Sequence, residues 1–256
     1  MGELNRVLKT FVAYLKRPDL YPELRRKILK NTLNRNNAFK GKERANQWAK
    51  SKASTQGEAI FRLFNIETSL FKILYRDVLD HATQKEKDCP IKMGGPGALE
   101  LIYYACEFTQ AKNVIETGVA YGWSSLASLL SLVKRNGNLY SSDMPYLGQN
   151  GDQYVGYVVP ENLKENWNLF RFADKESLPK IFTQNQNFDV IHYDSDKSYD
   201  GMFWAYTLLY EHLRSGGVFI SDDIGDNSAY QDFCEKNNIE STIIEMDDKY
   251  VGVFIK

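Results

Sequence analysis

Two short stretches could do chemistry. FDVIHY (188–193) is an apolar run that ends in Asp194, Ser195, Asp196 and Lys197, and GVFIS (217–221) ends in Asp222 and Asp223. An apolar run that stops in charged residues reads as a buried strand whose tip emerges at a rim. If the two strands are neighbours, Asp194, Asp222 and Asp223 meet there. Three carboxylates brought together repel one another unless a cation lies among them. All-oxygen donors suit a hard cation, magnesium with calcium or manganese as alternatives. One lysine cannot neutralise three carboxylates. The competing reading is two solvated loop clusters. Asp196 is either a further ligand or the cap of the helix that follows.

A second candidate lies upstream, in NVIETGVAYGWSS (113–125). Gly118 directly follows a strand, where a tight turn often needs positive φ. Gly122 would let a ligand approach the backbone, and Ser124 or Ser125 can cap the next helix. The GxxxG spacing departs from the GxGxxG of dinucleotide sites. It points to a smaller nucleoside ligand. The next strand, NLYSS (138–142), ends in Asp143. A carboxylate there can accept from both hydroxyls of a ribose; the alternative is a turn-forming aspartate. Asp174, in FRFADKESLP, either meets a base or caps its own helix.

These tips need elements to hold them. From residue 113 short apolar runs alternate with helical spacing. Strands are expected at 113–117, 138–142, 167–172, 188–193, 217–221, 241–246 and 250–256. Helices are expected at 124–134, 175–183, 198–213 and 228–237. Such alternation predicts a mostly parallel sheet with helices on both faces. The last two strands are joined by only a short turn at Asp247-Asp248, so they must be antiparallel. The fold class is α/β: a Rossmann-like seven-stranded sheet, last strand antiparallel, with an N-terminal helical appendage.

The ETGVAYG stretch, the acidic tips and this sheet together resemble class I S-adenosylmethionine (SAM) methyltransferases. The D-x-x-K of Asp194–Lys197, followed 28 residues later by Asp222-Asp223, is similar to the catechol and macrolide-sugar type of metal-dependent O-methyltransferase. The resemblance implies that SAM lies against Glu116, Gly118, Gly122, Ser124, Asp143 and Asp174. It implies Asp194, Asp222 and Asp223 as metal ligands and Lys197 as the base, acting on the hydroxyl of a small sugar, natural product or catechol-like acceptor. Ala120 and Tyr121 stand where the family carries a further glycine. Metal-independent N-methylation and a non-catalytic SAM-binding module are the competing functions. Residues 144–166 form a long insertion with Tyr146, Tyr154 and Tyr157, as expected of a lid or binding loop. His192, Trp123 and Trp204 read as packing residues.

Bulk properties agree with an enzyme of small molecules. The 256 residues carry a net charge of −1, so no global field draws nucleic acid. The first 60 residues hold 14 Lys/Arg against 5 Asp/Glu. That imbalance marks 1–60 as a segment apart from a domain at 61–256. Within it, helices are expected at 3–16 and 23–34, separated by breaks at Pro18 and Pro22. A polar loop or linker is expected at 34–56. This segment is expected to cover the SAM site or pair two subunits as a homodimer, in preference to meeting a membrane. Cys89, Cys106 and Cys234 are too few and too scattered for a disulfide framework or zinc site, which suits a reducing, cytoplasmic setting.

Overall fold

The computed structural model describes residues 10–33, 39–147, 151–247 and 249–256. Its centre is one mixed sheet of eight strands: β1 (Ala53–Ser54), β2 (Asn113–Thr117), β3 (Asn138–Ser142), β4 (Trp167–Phe170), β5 (Phe188–Tyr193), β6 (Leu213–Ser221), β7 (Thr242–Met246) and β8 (Lys249–Ile255). The spatial order is β1-β7-β8-β6-β5-β2-β3-β4. β8 runs antiparallel to both β6 and β7, and every other pairing is parallel. The chain order reverses beside β2: β3 and β4 lie to one side, β5 and β6 to the other. At such a switch point the strand ends open a crevice.

The central strands show period-two burial into two cores. Val114 and Val190 pack on one face with Leu101, Leu126 and Val218. Ile115 and Ile191 pack on the other with Phe188, Tyr206, Phe219 and Phe254. Both faces are covered, as a parallel sheet requires. The first core is covered by helices Gln56–Phe64, Leu99–Phe108 and Trp123–Leu132; the second by Asp174–Gln184, Tyr199–His212 and Ala229–Asn237.

Several expectations differ from the structure. The eighth strand, β1, lies in the stretch read as a loop, and pairs with Ile243 and Ile244. Before it, Lys42–Lys52 is a helix with Ala45 and Ala49 buried. Its apolar face is made of alanines and half-buried Trp48, so the sequence shows no stripe of large apolar residues. Residues 34–38 of that expected loop lie outside the described residues. Pro22 does not separate elements. It sits in the first turn of helix Tyr21–Leu33, where a missing N–H costs nothing. The expected 3–16 helix is present over 10–15, and its earlier part lies outside the described residues. β4 ends at Phe170, two residues early, and β6 begins at Leu213, four residues early.

Candidate functional site

The tips of β2, β3, β5 and β6 open into one cavity of about 1080 Å³. At the end of β2 the chain turns at Gly118, with φ +82°; a Cβ there would lie 2.0 Å from the carbonyl oxygen of Asp194. This glycine lets the β2 and β5 tips touch. Gly118, Val119, Ala120, Trp123 and Ser124 line the cavity.

Gly122 does something other than the sequence suggests. At φ +93° it precedes helix Trp123–Leu132, and a Cβ would meet Gly156 Cα at 2.8 Å and Val159 Cγ2 at 2.9 Å. It is not a lining residue. It admits the insertion, whose Gly156 and Val158 N–H groups donate to Ala120 and Tyr121 carbonyls at 3.0 Å each. The insertion is thus stitched to the glycine turn. Of its three tyrosines only Tyr146 lines the cavity; Tyr154 and Tyr157 pack edge to face on each other.

Glu116 is fully buried and is not a lining residue either. Its carboxylate accepts from Ser124 at 2.8 Å, Ser141 at 2.6 Å and Ser125. Burial pushes its carboxyl upward, against those three hydrogen bonds. Glu116 holds the turn and the start of the following helix together.

Asp143 and Asp174 both face the cavity. Asp143 Oδ1 accepts from the Val119 N–H at 3.1 Å, and Oδ2 is paired with Arg171. One oxygen is therefore shared with a guanidinium, a partner that sequence reading did not supply. Asp174 begins its helix and accepts from Ser142 at 2.8 Å and from Ser195. Burial pushes its carboxyl up to about 6 against those hydroxyls. Trp123 and Trp204 were read as packing residues, yet both line the cavity. Trp204 lies under the Lys175 ammonium, 4.6 Å from its ring centre.

The strand tips do bring Asp194, Asp222 and Asp223 to one end of the cavity. Lys197 joins them, paired with Asp194 and 2.7 Å from Asp223 Oδ2, and it is not a lining residue. Burial works against its charge, but Asp194 and Asp223 outweigh burial and hold it protonated above the ordinary lysine value. A second lysine completes the rim. Lys249, the first residue of β8, donates to Asp222 Oδ2 at 2.7 Å. His192 Nε2 lies 3.8 Å from Asp222 Oδ1. Burial opposes the charge on Asp222, but His192 and Lys249 outweigh it and keep this carboxyl well below the usual range. Asp196 is not the helix cap: Ser198 caps Tyr199–His212 by accepting from the Gly201 N–H, and Asp196 accepts from the Ser198 N–H at 2.9 Å.

The donor chemistry at this rim is right for a hard cation, but the donors are engaged. Every one of the three carboxylates has a lysine partner. Among the described residues no group of three or more His, Cys, Asp and Glu side chains is arranged to hold a metal ion. The residues as arranged do not fit the expected ion, because Lys197 and Lys249 already occupy its carboxylate ligands.

The sheet order and the glycine turn are those of a Rossmann-like fold shared with solved methyltransferases. Residues 115–224, less than half of the chain, match a family described as a methyltransferase domain. The solved structures it resembles include an O-methyltransferase from Bacillus cereus in complex with S-adenosylhomocysteine (SAH), at 14% identity and TM-score 0.55, covering 81% of this chain and 100% of that one. The SAM-bound O-methyltransferase TomG from Streptomyces achromogenes matches at 15% identity and TM-score 0.55, over 74% and 96% of the two chains. The SAH-bound Podospora anserina methyltransferase PaMTH1 matches at 13% identity and TM-score 0.53, over 70% and 87%. No curated protein matches by sequence. No helix among the described residues is long and apolar enough to cross a membrane.

Proposed function

We propose that this protein transfers the methyl group of SAM to a hydroxyl oxygen of a small molecule. The observation that carries this reading is one continuous cavity that runs from the Gly118 turn and Asp143 to the rim of Asp194, Asp222 and Asp223. One end suits a nucleoside: a backbone turn at a helix start, a strand-tip carboxylate at Asp143, and Asp174 beyond it. Glu116 and Gly122 serve the SAM end by supporting the turn, and Ser124 meets the cavity directly. The other end suits an alcohol, because ionised carboxylates there can accept its proton. The cavity exceeds what a cofactor alone needs and leaves room for an acceptor.

In the reaction a lone pair on the acceptor oxygen attacks the methyl carbon. The new C–O bond forms as the C–S bond breaks, and its electrons return to sulfur to give SAH. The hydroxyl proton passes to Asp194. Lys197, held protonated, steadies Asp194 and Asp223; it is a positioning residue in this reading rather than the base that the family resemblance implies. Orientation of the two reactants supplies much of the rate, since methyl transfer needs no covalent intermediate. The test is a SAM-consumption screen over sugars, catechols and other hydroxylated acceptors, run with magnesium and with chelator. SAH formation that depends on an added alcohol supports the reading. SAH formation only with amines sinks it. The magnesium arm decides the metal requirement expected from Asp194, Asp222 and Asp223.

A further inference from the structure

We infer that Lys249 is the ammonium that faces the methyl acceptor, and that with Lys197 it supplies the positive charge expected of a divalent cation. This rests on the O-methylation reading above. Three observations point to it. First, Lys249 lies on the cavity wall, whereas Lys197, the lysine of the D-x-x-K sequence, does not. Second, the two lysines divide the rim between them. Lys249 Nζ is 2.7 Å from Asp222 and 3.9 Å from Asp223 Oδ1, while Lys197 holds Asp194 and the other oxygen of Asp223. Asp223 thus lies between the two ammoniums. Third, the neighbouring loop is shaped to the Asp222–Lys249 pair. A Cβ on Gly97 would lie 3.3 Å from Asp222 Oδ2 and 3.9 Å from Lys249 Nζ, and Gly97 also lines the cavity.

The charge balance explains why a second lysine matters. Two ammoniums against three carboxylates leave one excess negative charge, which His192, 3.8 Å from Asp222 Oδ1, offsets when protonated. An incoming divalent ion must first break three short ion pairs to reach its ligands. A lysine ammonium carries three N–H donors, and the Asp222 bond at 2.7 Å occupies one of those on Lys249. Another can reach an acceptor oxygen and stabilise it while Asp194 takes its proton. A donor aimed at developing negative charge in a secluded site acts in the manner of an oxyanion hole.

The experiment titrates manganese ion by calorimetry into the full chain loaded with SAH. The wild type is expected to bind no manganese below the millimolar range, and Lys249→Met is expected to gain a site that Asp222→Asn removes. Lys249→Arg, which keeps the charge, should exclude manganese as the wild type does. SAH affinity within about twofold of wild type reports that each variant is folded. In chelator, Lys249→Met should lower kcat by about 10²-fold, the scale of losing one such donor, with little change in KM for SAM. Micromolar manganese binding to the wild type, lost in Asp222→Asn, overturns the inference. So does full turnover of Lys249→Met in chelator. If no alcohol is methylated, the O-methylation reading fails on its own, and the manganese titration still decides whether Lys249 excludes the cation.

Discussion

Asp174 carries a consequence that can be measured without a substrate. Its carboxyl is pushed up to about 6 by burial, against hydrogen bonds from Ser195 and Ser142. Protonation is therefore easier in the folded chain than in the unfolded one. The stability tied to this group is fully present below the ordinary carboxylate value and is lost as pH rises through about 6. The shift corresponds to at most about 3 kcal/mol. Asp174→Asn should be relatively more stable than wild type at pH 8 than at pH 4, as read by urea unfolding at the two values; equal differences would mean that Asp174 is not perturbed. Asp143 makes a cofactor prediction. Asp143→Ala should weaken SAH binding by about 1–3 kcal/mol, the cost of losing a charged hydrogen-bond partner. Unchanged calorimetric affinity would remove Asp143 from the ribose role. Both residues were legible in the sequence, because a carboxylate just past an apolar run marks a strand tip. Arg171 and Lys249 were not. They reach the site from the start of a connection and from a hairpin, at distances in the chain that no local pattern encodes.

At the scale of elements, what could be read depended on periodicity. The seven longer strands follow from short apolar runs, and the antiparallel end follows from the turn at Asp247. The helix Lys42–Lys52 and strand β1 could not be read, because alanines and a two-residue strand leave almost no hydrophobic signal. The glycine turn lies where the sequence puts it, and Gly122 has a packing role there that the sequence does not show. Gly122 makes room for the insertion at Gly156 and Val159. Gly118 makes the sharper test. Its φ is +82°, and a Cβ would lie 2.0 Å from the Asp194 carbonyl oxygen. Gly118→Ala must part the β2 and β5 tips as well as strain the backbone, so it should cost more than the ~1–3 kcal/mol of left-handed strain alone. It should also weaken SAH binding together with any manganese-insensitive turnover, since both halves of the cavity hang on this contact. A variant with wild-type stability would show that the turn can relax without cost.

The whole molecule raises the question of how its basic N-terminal part relates to the sheet. We propose two units, residues 1–60 and 61–256, with Ala53–Ser54 reaching from the first onto the edge of the second. The first unit makes two kinds of contact. Residues 10–33 lie over the cavity: Tyr14 and Leu20 pack on Leu147, Arg26 pairs with Glu176 at 2.5 Å, and Tyr14, Arg26 and Lys27 line the cavity wall. Residues 42–54 instead brace the far edge of the sheet. Arg44 pairs with Asp232, Asn46 donates to the Gly225 carbonyl at 2.5 Å, Trp48 packs near Tyr230, and β1 covers β7. Two truncations separate these roles. A chain beginning at residue 39 keeps the edge and loses the roof. It should unfold close to the wild-type midpoint but turn over at least about tenfold more slowly, because an opened site no longer excludes water or fixes the acceptor. A chain beginning at Gly57 also loses β1 and leaves the backbone of Ile243 and Ile244 as an unpaired edge. Such an edge invites association with other chains, so this shorter chain should be less stable and prone to aggregate. Thermal unfolding with light scattering would read both outcomes. If the chain from Gly57 matches the chain from 39 in midpoint and solubility, then β1 and its helix are ornaments on a sheet that is complete without them, and the boundary at residue 60 is sharper than the pairing suggests.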